Sequence, residues 1–160
     1  MRKKRIKKIL SLLLVGILLL FSMSGCGKEA DARKAQVAFI VKSTESTFWK
    51  SVFAGARAAA TEYNLNVTFN GPESEEDYKT QNEMVRQAME NGVDVIVFSA
   101  VDYNANAGII DQAAQRGIKI VVIDSDVNSG MVSCRIGTNN LQAGVKAAEA
   151  ALAAEGDELY

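Results

Sequence analysis

The residues best suited to chemistry lie in one short stretch. Lys42-Ser43-Thr44-Glu45-Ser46-Thr47-Phe48-Trp49 gathers a cation, a carboxylate, several hydroxyls and two adjacent aromatic rings. A second group, Asp124-Ser125-Asp126, adds carboxylates and a hydroxyl, and Asp102 stands in a third loop. A lysine donates hydrogen bonds to a hydroxyl or ring oxygen, and a carboxylate accepts from two vicinal hydroxyls. An aromatic face covers the apolar C–H side of a sugar ring. Lys42, Ser43, Ser46, Phe48, Trp49 and Asp124 therefore form a candidate set for a small polyhydroxylated ligand. Each has a competing structural role. Aromatics at helical spacing pack into cores, a lysine at a strand end is commonly a solvated charge, and Asp124 could serve only to fix the turn after its strand. Asp102 and Asp126 are read as turn or cap residues.

Other chemistries lack their parts. The 160 residues contain no histidine, which removes Ser-His-Asp and Cys-His catalysis, two-histidine zinc sites and the usual near-neutral base. Neither a G-x-G-x-x-G nor a G-x-x-x-x-G-K-[ST] loop is present, so no nucleotide cofactor is expected, and no enzymatic activity. Asp124-x-Asp126-x-Asn128-x-Gly130 fails as a calcium loop, because its glycine comes one place late and Arg135 stands where a bidentate glutamate is required. No metal site is expected. With two cysteines, Cys26 and Cys134, there is no disulfide framework.

These residues need a scaffold, and the alternation of sequence periods supplies one. β-branched runs at Gln36–Val41, Asn66–Asn70, Val93–Ser99 and Ile118–Ile123 read as strands, with a short fifth at Val132–Ile136. Helical spacing follows at Phe48–Tyr63, from Ser74 to Asn91-Gly92, at Asn104–Arg116 and at Leu141–Ala153. Ser74-Glu75-Glu76-Asp77 reads as a capped helix start with acids in its first turn. Near-continuous apolar strands separated by amphipathic helices predict an α/β fold, an open parallel sheet with helices on both faces. Ligands of such sheets bind beyond the carboxyl ends of the strands, where all the candidate loops fall. Cys134, in an apolar run, is expected to be a buried strand cysteine.

The leader has its own logic. Arg2, Lys3, Lys4, Arg5, Lys7 and Lys8 precede the 13-residue apolar run Ile9–Phe21, a signal-peptide length well short of a membrane span. Met23-Ser24-Gly25-Cys26 resembles the lipobox of bacterial lipoproteins, which implies a lipid on Cys26 and anchoring to the outer face of the cytoplasmic membrane. From Cys26 onward 12 basic residues face 19 acidic ones, a net charge of −7, which argues against a nucleic-acid partner.

The segments VAFIVKSTESTFWKSVFAGARAAATEYN, FNGPESEEDYKTQNEMVRQAMENGVDVIVFSA and VVIDSDV resemble the type I periplasmic substrate-binding proteins of sugar ABC importers. The resemblance runs from Gln36 to about Gly156. It implies that Phe48 and Trp49 clamp a sugar and that Asp124 binds its hydroxyls. Ser125 stands where the ribose-like branch commonly has an arginine, whereas Lys42 and Gly71-Pro72 match the rhamnose and autoinducer-2 branch, in which that lysine contacts the ligand. It further implies a monomer that captures a sugar-like ligand for an ABC permease, or alternatively presents it to a membrane chemoreceptor or sensor kinase. Members of the family are two-lobed and about twice this length. The expected organisation is a signal peptide at 1–25, a linker at 26–35, an α/β lobe at 36–130, and a crossover with the first helix of a second lobe at 131–160, the chain being an N-terminal fragment.

Overall fold

The computed structural model describes residues 33–155. The leader, the lipobox and Cys26 lie outside the described residues. The chain divides at Arg33 into two units, and the architecture below is that of the second, from Lys34 onward.

Five strands, β1 (Gln36–Ile40), β2 (Asn66–Asn70), β3 (Val95–Phe98), β4 (Lys119–Ile123) and β5 (Cys134–Ile136), form one sheet in the order β2-β1-β3-β4-β5. Every neighbouring pair is parallel, with Phe39 in register with both Phe69 and Val97, and Val97 with Val121. Between the first four strands run the crossover helices α1 (Thr47–Glu62), α2 (Tyr78–Glu90) and α3 (Ala107–Gln115); α4 (Asn140–Glu155) follows β5. The open parallel α/β sheet expected from the sequence is the observed fold.

Side chains alternate across a strand, so each strand supplies two faces. One face carries Ala38, Ile40, Ile96, Phe98, Ile120 and Val122, all buried beneath Val85, Ala88 and Met89 of α2 and Ile109, Ile110 and Ala113 of α3. Each fully buried valine, isoleucine or phenylalanine of this set contributes about 1.5–3 kcal/mol of transfer free energy. The opposite face is covered by α1, where Val41, Trp49 and Phe53 pack with Phe39, Phe69 and Ile123. Phe53 meets Phe69 edge-on with ring centroids 4.8 Å apart, and the Arg57 guanidinium lies 4.7 Å above the Phe69 ring. Toward β5 this second face thins out. Val97 and Val121 are half-buried, and Cys134 and Ile136 are exposed.

Cys134 therefore departs from expectation. It occupies a strand, but the layer that covers its face of the sheet thins out before β5, so its thiol is free and exposed. The start of α2 is a second correction. The helix begins at Tyr78, capped by Asp77, whose carboxylate accepts from the Thr80 N–H at 3.0 Å and its hydroxyl at 2.6 Å. Glu75 and Glu76 precede the cap, and no acid lies in the first turn. These bonds from Thr80 hold the Asp77 carboxyl below its usual range. The third helix also starts later than its apolar spacing implies, because Asp102 accepts the N–H groups of Asn104 and Ala105 and keeps them in a turn.

Candidate functional site

The carboxyl ends of β1, β3 and β4 converge around one open crevice, and the strand order reverses between β1 and β3, the point where open α/β sheets bind ligands. Lys42, Glu75, Tyr103, Asp124, Asp126 and Thr138 line a crevice of about 540 Å³. A neighbouring hollow of about 500 Å³ shares Asp124, Asp126 and Thr138 and extends toward Arg135 and Asn139.

Lys42 follows β1, and its ammonium Nζ lies 3.5 Å from Asp124 Oδ2 and 3.8 Å from Glu75 Oε2. A donor from one strand end and an acceptor from another thus meet over the sheet. Asp124 takes a left-handed backbone, φ 56°, immediately after β4, which turns the chain at the strand's end. Its carboxylate also accepts from the hydroxyls of Ser125 at 3.1 Å and Ser99 at 3.4 Å. Its backbone N–H donates to Ile136 O at 3.0 Å.

The other candidates of the first loop are placed differently. Trp49 is 1% exposed and belongs to the core beneath α1, reaching outward only through its indole N–H, which donates to Glu75 Oε1 at 3.1 Å. Phe48, next to it, is 55% exposed and packs edge-on against the Trp49 ring, centroids 4.8 Å apart. Neither ring is among the residues lining the crevice. The Ser46 hydroxyl accepts from Trp49 N–H at 3.3 Å and caps α1. The Ser43 hydroxyl is buried, accepts from Glu45 N–H at 3.1 Å and donates to Glu73 O at 3.5 Å, which joins the loops after β1 and β2. Gly71 lies close beneath this junction: a Cβ there would stand 3.0 Å from Val41 O.

Asp126 lines the same crevice but is engaged by other partners than Lys42. It accepts from Arg135 Nε at 2.8 Å and from Val127 N–H at 2.8 Å. Burial raises its carboxyl pKa, but those two bonds and the Arg135 charge together outweigh burial and leave it lowered.

Two residues escaped the sequence reading. Gln81 of α2 is fully buried, and its amide donates to Val41 O at 3.0 Å and Ser99 O at 2.9 Å while its carbonyl accepts from Val101 N–H at 3.0 Å. It ties the ends of β1 and β3 together under the crevice. The signal was a lone amide on the apolar stripe of Val85, Ala88 and Met89. Glu75, in the sequence, is indistinguishable from the other acids of a helix start. Among the described residues, no cluster of three or more cysteine, aspartate and glutamate side chains is placed to hold a metal ion.

Comparison with known proteins identifies the family of this fold. The family described as periplasmic binding protein domain matches residues 37–158. A D-ribose/D-allose-binding protein of Pseudomonas aeruginosa is 30% identical over 94 residues, 58% of this chain and 30% of that protein. Among solved structures, a carbohydrate transporter solute binding protein of Agrobacterium radiobacter in complex with D-arabinose has a TM-score of 0.70 at 30% identity, over 78% of this chain and 43% of the other. An ABC transporter solute binding protein of Agrobacterium vitis with bound D-fucose has a TM-score of 0.69 at 32% identity, over 76% of this chain and 43% of the other. The chain thus spans less than half the length of each of these relatives. With the parallel sheet, the crevice at its strand ends and a family match over most of its length, the chain belongs to the periplasmic binding protein domain family.

Proposed function

We propose that this chain forms the first lobe of an extracytoplasmic sugar-binding protein that captures a neutral, polyhydroxylated ligand for an ABC importer. The observation that carries the reading is the Lys42–Asp124 pair at the crevice, 3.5 Å apart and reached from two different strand ends. A ligand hydroxyl entering between them can donate to the carboxylate while another accepts from the ammonium. The sugars for which these relatives are named or with which they are complexed, D-ribose or D-allose, D-arabinose and D-fucose, have this chemistry. Phe48, exposed in the first turn of α1 but outside the lining of the crevice, enters this reading only through the family resemblance. Ser43 and Ser46 act indirectly, by holding the loop that carries Lys42. No cofactor enters this reading.

Isothermal titration of the full-length protein, as its own cell makes it, with these four sugars tests the proposal. Lys42→Met and Asp124→Asn each leave a ligand group unpaired, a loss of about 1.5–3 kcal/mol or about 10- to 150-fold in affinity. Asparagine tolerates the left-handed backbone of position 124, so the empty protein keeps its melting temperature. Unchanged affinity, or a loss that tracks a lowered melting temperature, returns both residues to structural roles.

We further propose that Cys26 carries a lipid that holds the protein at the membrane, on the strength of the basic and apolar leader and the Met23–Cys26 sequence. Cys26→Ala then moves the protein from the membrane fraction to the soluble one; a wild type found soluble with an unmodified mass overturns this.

A further inference from the structure

Glu75 sits in a run of acids whose presence a helix start would explain, yet its carboxylate does none of a cap's work. Asp77 caps α2, and Glu75 lies ahead of that cap with its two oxygens turned elsewhere. One accepts the indole N–H of Trp49 at 3.1 Å; the other lies 3.8 Å from the Lys42 ammonium. Trp49 is 1% exposed, and a buried indole N–H requires an acceptor, so the tryptophan fixes the carboxylate from the core side. Lys42 in turn stands between two carboxylates, Glu75 from the loop after β2 and Asp124 from the end of β4.

We infer that Glu75 is a positioning residue of the crevice, a core-anchored carboxylate that holds the Lys42 ammonium in place when Asp124 turns its oxygens to a ligand. This inference rests on the ligand reading above and deepens it. In the empty crevice Asp124 and Glu75 share the lysine's charge. Once ligand hydroxyls donate to Asp124, its attraction for Lys42 weakens, and Glu75 becomes the neighbour that keeps the ammonium from swinging into water. Lysine's long flexible stem makes such holding necessary, since its ammonium is a point charge with no planar fork to orient it. The rigid part of the device is Trp49. Its ring is packed against Phe48 and the core under α1, so Glu75 is tethered to a buried, packed side chain rather than to another loop.

A double-mutant cycle separates this from a structural role. Glu75→Gln keeps the side chain's size and an oxygen that accepts the Trp49 N–H, so the fold is retained while the charge facing Lys42 is removed. The Glu75 side chain is 49% exposed and that of Lys42 23%, which places the pair in the modest range of partly exposed ion pairs. In the full-length protein, whichever of D-ribose, D-allose, D-arabinose and D-fucose binds the wild type most tightly is expected to bind Glu75→Gln about three- to five-fold more weakly. In a Lys42→Met background the same substitution is expected to cost nothing further. An undiminished loss in the Lys42→Met background, or no loss in the wild-type background, overturns the role of Glu75 while leaving the ligand reading intact. Absence of binding by any of the four sugars to the wild type overturns both. The melting temperature of each ligand-free variant, expected within error of its parent, accompanies every titration; a loss of affinity that follows a lowered melting temperature counts against the proposal.

Discussion

Phe98 and Leu152 are both large apolar residues in regular elements of one chain, yet Phe98 is fully buried and Leu152 is half exposed. Around Phe98 the sheet is closed by α2 and α3, and alternate residues of β1, β3 and β4 vanish from the surface. Around Leu152 no other described element closes over the side chain. Leu141, Val145 and Leu152 fall on one stripe of α4, since their spacing brings them to nearly the same angle on a helix, and all three are exposed. An isolated helix of this length is marginal in water, and most helical stability comes from packing an apolar face. The contrast shows that apolar content alone does not make a core; the residues must also be opposed by a second layer.

Three substitutions probe that contrast. Phe98→Ala removes a ring from the closed face and is expected to cost about 3–5 kcal/mol, read as a lowered denaturant midpoint. A cost below about 1 kcal/mol would mean that this face is as loosely packed as the other. Gln81→Ala strips three partners, Val41 O, Ser99 O and Val101 N–H, from a buried site and is expected to cost about 2–3 kcal/mol. Because the amide joins β1 to β3 at the crevice, its loss is also expected to raise hydrogen exchange at Val101; uniform protection across the sheet would break this link. Leu152→Ala is expected to change the stability of the 160-residue chain by no more than about 0.5 kcal/mol. A larger loss would show that the α4 stripe is opposed after all.

The same contrast explains what was readable beforehand. Asn66–Asn70 matches β2 end to end, and the other main strands and helices fall within a few residues, because buried strands and amphipathic helices leave their period in neighbouring residues. The family resemblance read from the motifs agrees with the family match. What escaped depended on distant partners. The late start of α2 turns on two bonds between Asp77 and Thr80, which a run of acids does not distinguish from any other capped start. Glu75 takes its meaning from Trp49 and Lys42, and Gln81 from carbonyls on two strands. Cys134 has the apolar neighbours of a buried strand residue, but the layer that covers its face of the sheet thins out before β5 and leaves it exposed. Lys42 and Asp124 meet at strand ends, where the sequence pattern puts them, but the separate places of Ser43, Ser46, Phe48 and Trp49 are set by packing that spacing does not encode.

Asp124, with its φ of 56°, sets evolutionary pressures against each other at a single position. A left-handed backbone suits glycine best, and asparagine and aspartate are the side-chain-bearing residues that tolerate it most readily. A population selected only for heat resistance would find glycine there an easy gain in backbone comfort, at the expense of the carboxylate beside Lys42. One selected for growth on the captured solute would hold aspartate. The residue recovered at this position from a mutagenised library therefore reports which of the two demands the library has met.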